Sequence, residues 1–308
     1  MFNWFESRLN PFPDEKPSTP PNGLLEFCWY YSSSVWRWLL LMSILTALIS
    51  VGEIYLFSFL GNIIDWLSEN SREQFLEREG HRLLWMGVVI IFGLPFIVFF
   101  HSLVIHQTLL GNFPMIARWQ MHRYLLLQSM SFFTNEFAGR VATKVMQTSL
   151  AIRESVMKVL DVFVYVSVYF ISMVVLVANF ELRMLIPLLF WIIIYVTLII
   201  FFVPKLKVVS KEQADSRSIM TGRVVDSYTN ISTVKLFAHA LREEIYAKEG
   251  MDSFLVTVHR QMRLVTLFHC LVYFNNVLLV FSMSALSIWF WINSYVSIGS
   301  IATAIAMC

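Results

Sequence analysis

Long apolar runs alternate with two long polar stretches along this chain. A membrane-crossing α-helix needs roughly 17–25 predominantly apolar residues, and five runs satisfy this length. They cover about Trp38–Leu60, Leu83–Ile105, Val162–Ala178, Met184–Val203 and Leu264–Ile292. A sixth apolar segment begins at Ile301 and runs to Cys308. The pattern predicts an all-α membrane protein with five complete spans and the start of a sixth, and with a kink at Pro95 in the second span.

The two polar stretches are long enough to form helical extensions outside the membrane. His106–Asp161 has 56 residues, and Pro204–Arg263 has 60, of which ten are Lys or Arg and seven are Asp or Glu. In the second stretch the apolar residues recur at helical spacing. Since a few residues would connect two spans, we predict two long helices that reach on the order of 40 Å from the bilayer and act as a lever.

The N-terminal region divides into two parts. Residues 1–23 contain five prolines and predict a disordered tail. Residues 24–37 gather Phe27, Trp29, Tyr30, Tyr31 and Trp36. Because aromatic rings at this density favour the headgroup layer, we expect a short interfacial helix that leads into the first span.

Composition agrees with a membrane protein: mean hydropathy is +0.64, 57% of residues are hydrophobic and 14% are charged. The net charge of +2 gives no sign of nucleic-acid binding. The three cysteines have neither metal nor disulfide spacing, and no secretory signal peptide is expected before the first span.

The distribution of basic residues predicts the orientation. The N-terminal region through Arg37 has three Lys or Arg, the first polar stretch has six and the second has ten. The loops on the other side together have four. We therefore expect the N-terminus and both polar stretches to be cytoplasmic.

Two sequence motifs lie within the polar stretches. Phe132–Val141 reads FFTNEFAGRV, and Gly222–Ala238 reads GRVVDSYTNISTVKLFA. With the span spacing and the Ser297–Ile301 turn, they resemble the intracellular loops of ABC exporters over roughly residues 24–308. Four positions depart from that family's usual residues: Lys144, Gln147, Thr148 and Asp226. These departures concern details of loop packing.

The resemblance implies an ABC exporter-type transmembrane helical bundle with long cytoplasmic helical extensions. In that family a short coupling helix at each tip contacts a nucleotide-binding domain, and ATP binding closes two such domains. Carried over, the first coupling helix comprises Thr134, Asn135, Glu136, Phe137, Ala138 and Gly139. The second comprises Ser227, Tyr228, Thr229, Asn230, Ile231, Ser232, Thr233 and Val234. Gly139 and Asn230 are suited to sharp turns at the two tips.

No nucleotide-binding domain is recognisable in these 308 residues. The phosphate-binding pattern GxxxxGK[ST] and an LSGGQ-like signature do not occur, so ATP and Mg²⁺ are expected only through a missing domain, and enzymatic ATP hydrolysis only in a full-length protein. The chain ends about eight residues into the sixth span, so it resembles the front part of a longer polypeptide. A truncated gene, an assembly edge and a deliberately made fragment all remain open.

The expected function is the permease portion of an exporter that moves a lipid, drug or peptide out across the inner membrane. The expected partners are membrane lipids, nucleotide-binding domains and a second half-transporter, identical or different. A non-catalytic membrane scaffold subunit and an ion-coupled carrier remain as alternatives. The residues do not identify the substrate.

Polar residues inside the spans are costly and invite a functional interpretation. Glu53 lies deep in span one, and His269, Asn275 and Asn276 lie in span five. Each either lines a substrate cavity or makes a structural hydrogen bond between helices. His101 in span two is interpreted as interfacial.

Overall fold

A computed structural model of the chain describes residues 2–14, 18–71, 73–135, 138–236 and 240–308. In this part of the chain, regular structure is entirely helical. The α-helices are α1 (Phe2–Glu6), α2 (Leu24–Ser32), α3 (Trp36–Glu69), α4 (Phe75–Val88), α5 (Leu94–Ser102), α6 (Asn112–Leu126), α7 (Met130–Asn135), α8 (Ala138–Phe180), α9 (Leu185–Thr229), α10 (Ile231–Leu236), α11 (Ala240–Ile292) and α12 (Ile298–Ala306). The all-α prediction is confirmed.

Each of the five predicted spans lies within a helical stretch of the structure. Five helical stretches of the described chain are long and apolar enough to cross a membrane. They are Trp36–Glu69, Phe75–Leu126, Val141–Phe180, Leu182–Thr229 and Leu241–Ile292. The chain separates into two compact units. Unit 1 contains Met1–Phe180 and Ser297–Met307, and unit 2 contains Glu181–Val296 and Cys308.

The core of unit 1 lies where α2, α3, α6 and α8 meet. Met42 of the first span and Val35, which directly precedes α3, are fully buried there with Phe113 of α6. Tyr31 of the predicted interfacial helix is also buried in this cluster, and burial raises the pKa of its hydroxyl to about 12. Apolar faces at helical spacing therefore assemble into one cluster.

The second span is an interrupted helix. Two π-helical segments, Val89–Gly93 and Leu103–Leu109, separate α4, α5 and α6. Pro95 follows the first of them. In a regular α-helix its ring would clash with the carbonyl of Ile91, four residues earlier. The wider π turn relieves this clash, so the irregularity predicted at Pro95 takes the form of a π segment.

Residues 2–14 pack within unit 1, which differs from the disordered tail predicted over residues 1–23. Phe5 of α1 is 4% exposed and belongs to the core cluster. Thr108 donates a hydrogen bond to the carbonyl of Phe5, while Trp119 and Arg123 donate to that of Pro13 at 3.1 and 2.9 Å. Prolines exclude a regular helix, but they leave carbonyls that side chains of α6 can bind.

The last helix of unit 1, α12, crosses α3 in close backbone contact. A Cβ atom built on Gly61 would lie 2.5 Å from the carbonyl oxygen of Gly299, so only glycine fits at this crossing. Asp65 of α3 accepts hydrogen bonds from the Gly299 N–H and the Ser297 hydroxyl, both at 2.7 Å. A carboxylate at a helix N-terminus is favourable because unsatisfied N–H groups and the helix dipole point towards it.

Unit 2 is a helical hairpin made chiefly of α9 and α11. These helices have 45 and 53 residues, which corresponds to lengths of about 68 and 80 Å. Pro204 lies inside α9, which continues past it. Since the hydrocarbon core is about 30 Å thick, both helices extend well beyond it, as the polar second stretch predicts.

Candidate functional site

The tip of the hairpin consists of the end of α9, the turn residue Asn230 and the short helix α10. Asn230 ends α9, and its backbone N–H and side-chain amide both donate to the carbonyl of Asp226. The predicted coupling helix Ser227–Val234 is therefore divided in the structure. Its first three residues belong to α9, and Ile231–Val234 belong to α10.

The tip presents large apolar side chains to the surroundings. Tyr228 is 71% exposed and Leu236 is 81% exposed, and Ile231 between them is exposed as well. Exposed apolar groups that lie close together are typical of a surface that contacts a partner. Phe237, which the helical spacing places in this region, lies outside the described residues.

The two long helices are held together just behind the tip. Arg223 of α9 donates a hydrogen bond to the backbone carbonyl of Tyr246 at 2.9 Å, and its guanidinium carbon lies 4.4 Å from the centre of the Tyr246 ring. The same guanidinium forms an ion pair with Glu249 at 3.7 Å. A Cβ on Gly250 would lie 2.9 Å from the Arg223 Cδ atom, so glycine makes room for the arginine stem. Ser227 donates to Glu243 at 2.7 Å one turn nearer the tip.

Further contacts follow along the same hairpin towards the apolar part. Arg260 pairs with Glu212 at 2.7 Å, and Gln261 donates to Ser210 at 3.0 Å. Each exposed pair contributes little alone, about 0–1 kcal/mol. Their distribution along α9 and α11 nevertheless fixes the register of the two helices, which suits a pair that transmits displacement.

The first tip lies between α7 and α8. Of the predicted coupling helix, Thr134 and Asn135 end α7, while Ala138 and Gly139 begin α8. Glu136 and Phe137 lie outside the described residues. Thr134 donates its hydroxyl to the carbonyl of Met130 at 3.2 Å. Gly139 is thus part of a helix, whereas at the second tip Asn230 occupies the turn.

The polar residues predicted in the spans have different surroundings. Glu53 accepts a hydrogen bond from the Tyr165 hydroxyl of α8. In unit 2, Asn275 donates to the carbonyl of Trp191 at 3.2 Å, and Asn276 accepts from the Trp191 indole N–H at 2.9 Å. His269 is exposed on α11. The structure therefore gives Glu53 a helix-to-helix hydrogen bond within unit 1 and gives the two asparagines such bonds within unit 2.

Sequence reasoning missed a polar cluster around His101. Thr46 of α3 donates to Asp161 of α8 at 2.5 Å, and its oxygen lies 2.9 Å from His101 Nε2. These side chains belong to three spans, so His101 has partners inside unit 1. The available signal was the spacing of Thr46, Ser50 and Glu53, which places three polar side chains on one face of span one.

The described residues include no group of three or more His, Cys, Asp or Glu side chains suited to hold a metal ion. The 308 residues also lack a phosphate-binding loop. The described residues therefore do not fit a bound ATP–Mg²⁺ group.

Comparison with known proteins agrees with this arrangement. The family model described as "ABC transporter transmembrane region" matches residues 39–307. A Haemophilus influenzae protein named "Uncharacterized ABC transporter ATP-binding protein" is 45% identical over 307 residues, which cover 100% of this chain and 50% of that protein. The chain thus spans about half the length of this curated relative. By the family match and the five membrane-capable helical stretches of its described residues, the chain is a multi-pass membrane protein that belongs to the family of ABC transporter transmembrane regions.

Proposed function

We propose that this chain is the permease portion of an ATP-driven exporter that moves an amphiphilic substrate, such as a lipid, drug or peptide, out across the inner membrane. The observation that carries the proposal is the hairpin of unit 2, which extends beyond the membrane and ends in exposed apolar side chains. A hairpin of this length with an exposed apolar tip is suited to couple the spans to a partner outside the bilayer.

The orientation follows from the basic residues. With ten Lys or Arg, the Pro204–Arg263 stretch has more basic residues than the other polar stretch or the N-terminal region, and the positive-inside rule favours its placement in the cytoplasm. The N-terminus lies on the same side. Both tips then face the compartment that contains ATP.

The partner at each tip is a nucleotide-binding domain, which would supply ATP and Mg²⁺ binding when present. The tip at Ser227–Val234 contacts it through Tyr228, a large amphipathic side chain of the kind enriched in interfaces. The tip at Thr134–Gly139 makes the second contact. Closure of two such domains displaces both tips, and the clasped helices α9 and α11 carry the displacement to the spans. The protein alternates between inward-open and outward-open states by a population shift.

The transporter works as a dimer with an identical or a different half-transporter. That Glu181–Val296 forms a compact unit separate from the first three spans supports an exchange in which this hairpin serves the partner subunit. The hairpin's helices make their own hydrogen bonds and ion pairs, so the unit does not depend on the first three spans for these contacts.

The test is Tyr228→Ala in a transporter assembled from this chain and its ATP-hydrolysing domain. Loss of the side chain removes about 1–3 kcal/mol of interface contact. Substrate-stimulated ATP hydrolysis and transport should fall together, while basal hydrolysis remains. Ile219→Ala is the matched control, because Ile219 is 60% exposed on the same helix but lies more than two turns from the tip.

The ratio of stimulated to basal hydrolysis decides the outcome. A fall with Tyr228→Ala but not with Ile219→Ala supports coupling through the tip. Full stimulation and transport in Tyr228→Ala contradict it. Transport that persists without ATP, driven by a proton or sodium gradient, would establish an ion-coupled carrier instead. No transport in any form of the assembled protein would point to a scaffold subunit.

A further inference from the structure

A line of polar and aromatic side chains, here named the polar seam, runs between α3, α5 and α8 in the membrane-spanning part of unit 1. Its members are Thr46, Ser50 and Glu53 of α3, His101 of α5, and Asp161, Tyr165 and Tyr169 of α8. On α3 they are spaced by four and three residues, and on α8 by four, so each set occupies one helix face. The seam is therefore a continuous feature rather than scattered polar residues.

One end of the seam is centred on Thr46. Its hydroxyl donates to Asp161 Oδ1 at 2.5 Å and its oxygen lies 2.9 Å from His101 Nε2. Because the hydroxyl has one proton and Asp161 receives it, His101 Nε2–H is the donor to the threonine oxygen. The Asp161 side chain is 37% exposed, whereas that of His101 is 16% exposed. The carboxylate is thus anchored on one side and accessible on another.

The other end combines a second carboxylate with aromatic rings. The Tyr165 hydroxyl donates to Glu53, and Ser50 donates to the Tyr165 carbonyl at 3.2 Å. The rings of Tyr165 and Tyr169 are stacked, with centroids 5.9 Å apart and planes 23° apart. Both tyrosines lie on the same side of α8 as Asp161, and the faces of their rings are electron-rich.

The two carboxylates of the seam have no lysine or arginine partner among the described residues, and Asp161 lies 3.5 Å from His101 Nε2, which carries a charge only when it is protonated. The ion pairs found among the described residues place no Lys or Arg on Glu53 or Asp161. A carboxylate inside a membrane is costly and ordinarily pairs with a cation or marks a ligand pathway. A cation supplied by a ligand would lower this cost.

A cavity opens beside the seam and sets the size of the ligand group. It has a volume of about 180 Å³ and is lined by Thr46, Ile49, His101, Asp161, Val162 and Tyr165. Sites for entire drug-sized ligands have volumes of roughly 300–1,000 Å³. The cavity therefore suits a compact head group whose apolar remainder lies outside it, along the apolar faces of the spans.

We propose that the polar seam binds the cationic head of an amphiphilic organic cation in this cavity, with Asp161 supplying charge and the Tyr165 ring supplying cation–π contact. Glu53, which accepts a hydrogen bond from the Tyr165 hydroxyl, and Tyr169, which stacks on Tyr165, hold that ring in place and add negative charge nearby. Carboxylates and aromatic faces together are the groups that recognise alkylated ammonium ions. The inference rests on the proposed function in taking an amphiphile as the substrate, and it narrows that substrate to a cation.

The experiment measures saturable binding of radiolabelled decyltrimethylammonium to the assembled transporter in nanodiscs, without ATP. Empty nanodiscs give the partitioning into lipid, which is subtracted. Asp161→Asn and Glu53→Gln remove charge but keep shape and hydrogen-bond acceptors. Asp161→Glu restores the charge. Asp215→Asn makes the same charge change on an exposed part of α9 and is the matched control. Size-exclusion profiles identify variants that misfold.

The Kd should rise at least about tenfold in Asp161→Asn, which corresponds to about 1.4 kcal/mol, and should rise in Glu53→Gln. It should recover in Asp161→Glu and stay unchanged in Asp215→Asn. Decanesulfonate, which has the same chain length and the opposite charge, should not displace the cation. Unchanged affinity in folded Asp161→Asn and Glu53→Gln, or equal displacement by decanesulfonate, would overturn the assignment.

This readout is independent of the coupling test. If binding is charge-selective but Tyr228→Ala retains full stimulation of ATP hydrolysis, the coupling role of the tip is rejected and the binding role of the polar seam stands. If Tyr228→Ala loses stimulation of ATP hydrolysis but binding does not depend on charge, the proposed exporter function stands and the binding role of the polar seam is rejected.

Discussion

Replacing Gly61 by alanine tests the close crossing of α3 and α12. The added Cβ would lie 1.9 Å from Thr303 Oγ1 and 2.5 Å from the carbonyl oxygen of Gly299. The threonine side chain can rotate, but the carbonyl belongs to a helix backbone. Ordinary contact begins at 3.4 Å, so the two helices must separate by about 0.9 Å.

The magnitude follows from two opposing effects. Overpacking of a tight contact costs about 1–3 kcal/mol, whereas alanine in a helix gains about 0.5–1 kcal/mol over glycine. The net expectation for Gly61→Ala is a loss of about 1–2 kcal/mol. At roughly 2–4 °C per kcal/mol for chains of comparable size, the melting temperature should fall by on the order of 5 °C.

The assay is thermal unfolding of the detergent-solubilised chain, followed by the fraction that remains monodisperse after heating. Gly80→Ala in α4 is the matched control, because a Cβ there meets nothing within 4 Å. The control should be neutral or slightly more stable. If Gly61→Ala melts at or above the parent temperature, the two backbones are not in contact and the reasoning is wrong.

Three further predictions follow from other parts of the structure. Phe5→Ala should lower the free energy of unfolding by about 3–5 kcal/mol, measured by the same assay, since Phe5 is buried in the core cluster; a change below 1 kcal/mol would contradict that packing. With the native cysteines removed, a cysteine at position Glu77 should react with an impermeant thiol reagent in intact cells. A cysteine at position Ser216 should react only after the cells are permeabilised, and the reverse pattern would refute the orientation. Burial raises the pKa of Tyr31 from 10.0 to about 12, so between these pH values its hydroxyl stays neutral in the folded chain and ionises in the unfolded chain. The free energy of unfolding should therefore fall as the pH rises from 10 to 12. Tyr31→Phe should reduce this pH dependence, and an identical pH profile of stability in both proteins would contradict the prediction.

The helical architecture follows from the hydrophobic pattern of the sequence. Runs of 17 or more apolar residues have one stable form in a bilayer, the helix, because every backbone N–H and C=O must be satisfied within the segment. The five spans and the long helical extensions of unit 2 were therefore predictable. The hydrogen bonds that Asn275 and Asn276 make to Trp191 agree with the structural alternative left open for polar residues in span five.

Which distant residues meet depends on how the helices pack, and the sequence pattern does not reveal this. Asp65 and Gly299 are more than 200 residues apart, yet they join α3 to the start of α12. Composition predicted a disordered N-terminal tail, but Phe5 gains burial from residues over 90 positions away, which local proline content does not reveal. The contacts of His101 also join residues that are far apart in the sequence. The periodicity of apolar residues identifies the buried face of one helix but not the faces of other helices that pack against it. The spacing of hydrophobic residues is a property of a single segment. A site such as the His101 cluster, which α3, α5 and α8 form together, depends on how those helices pack.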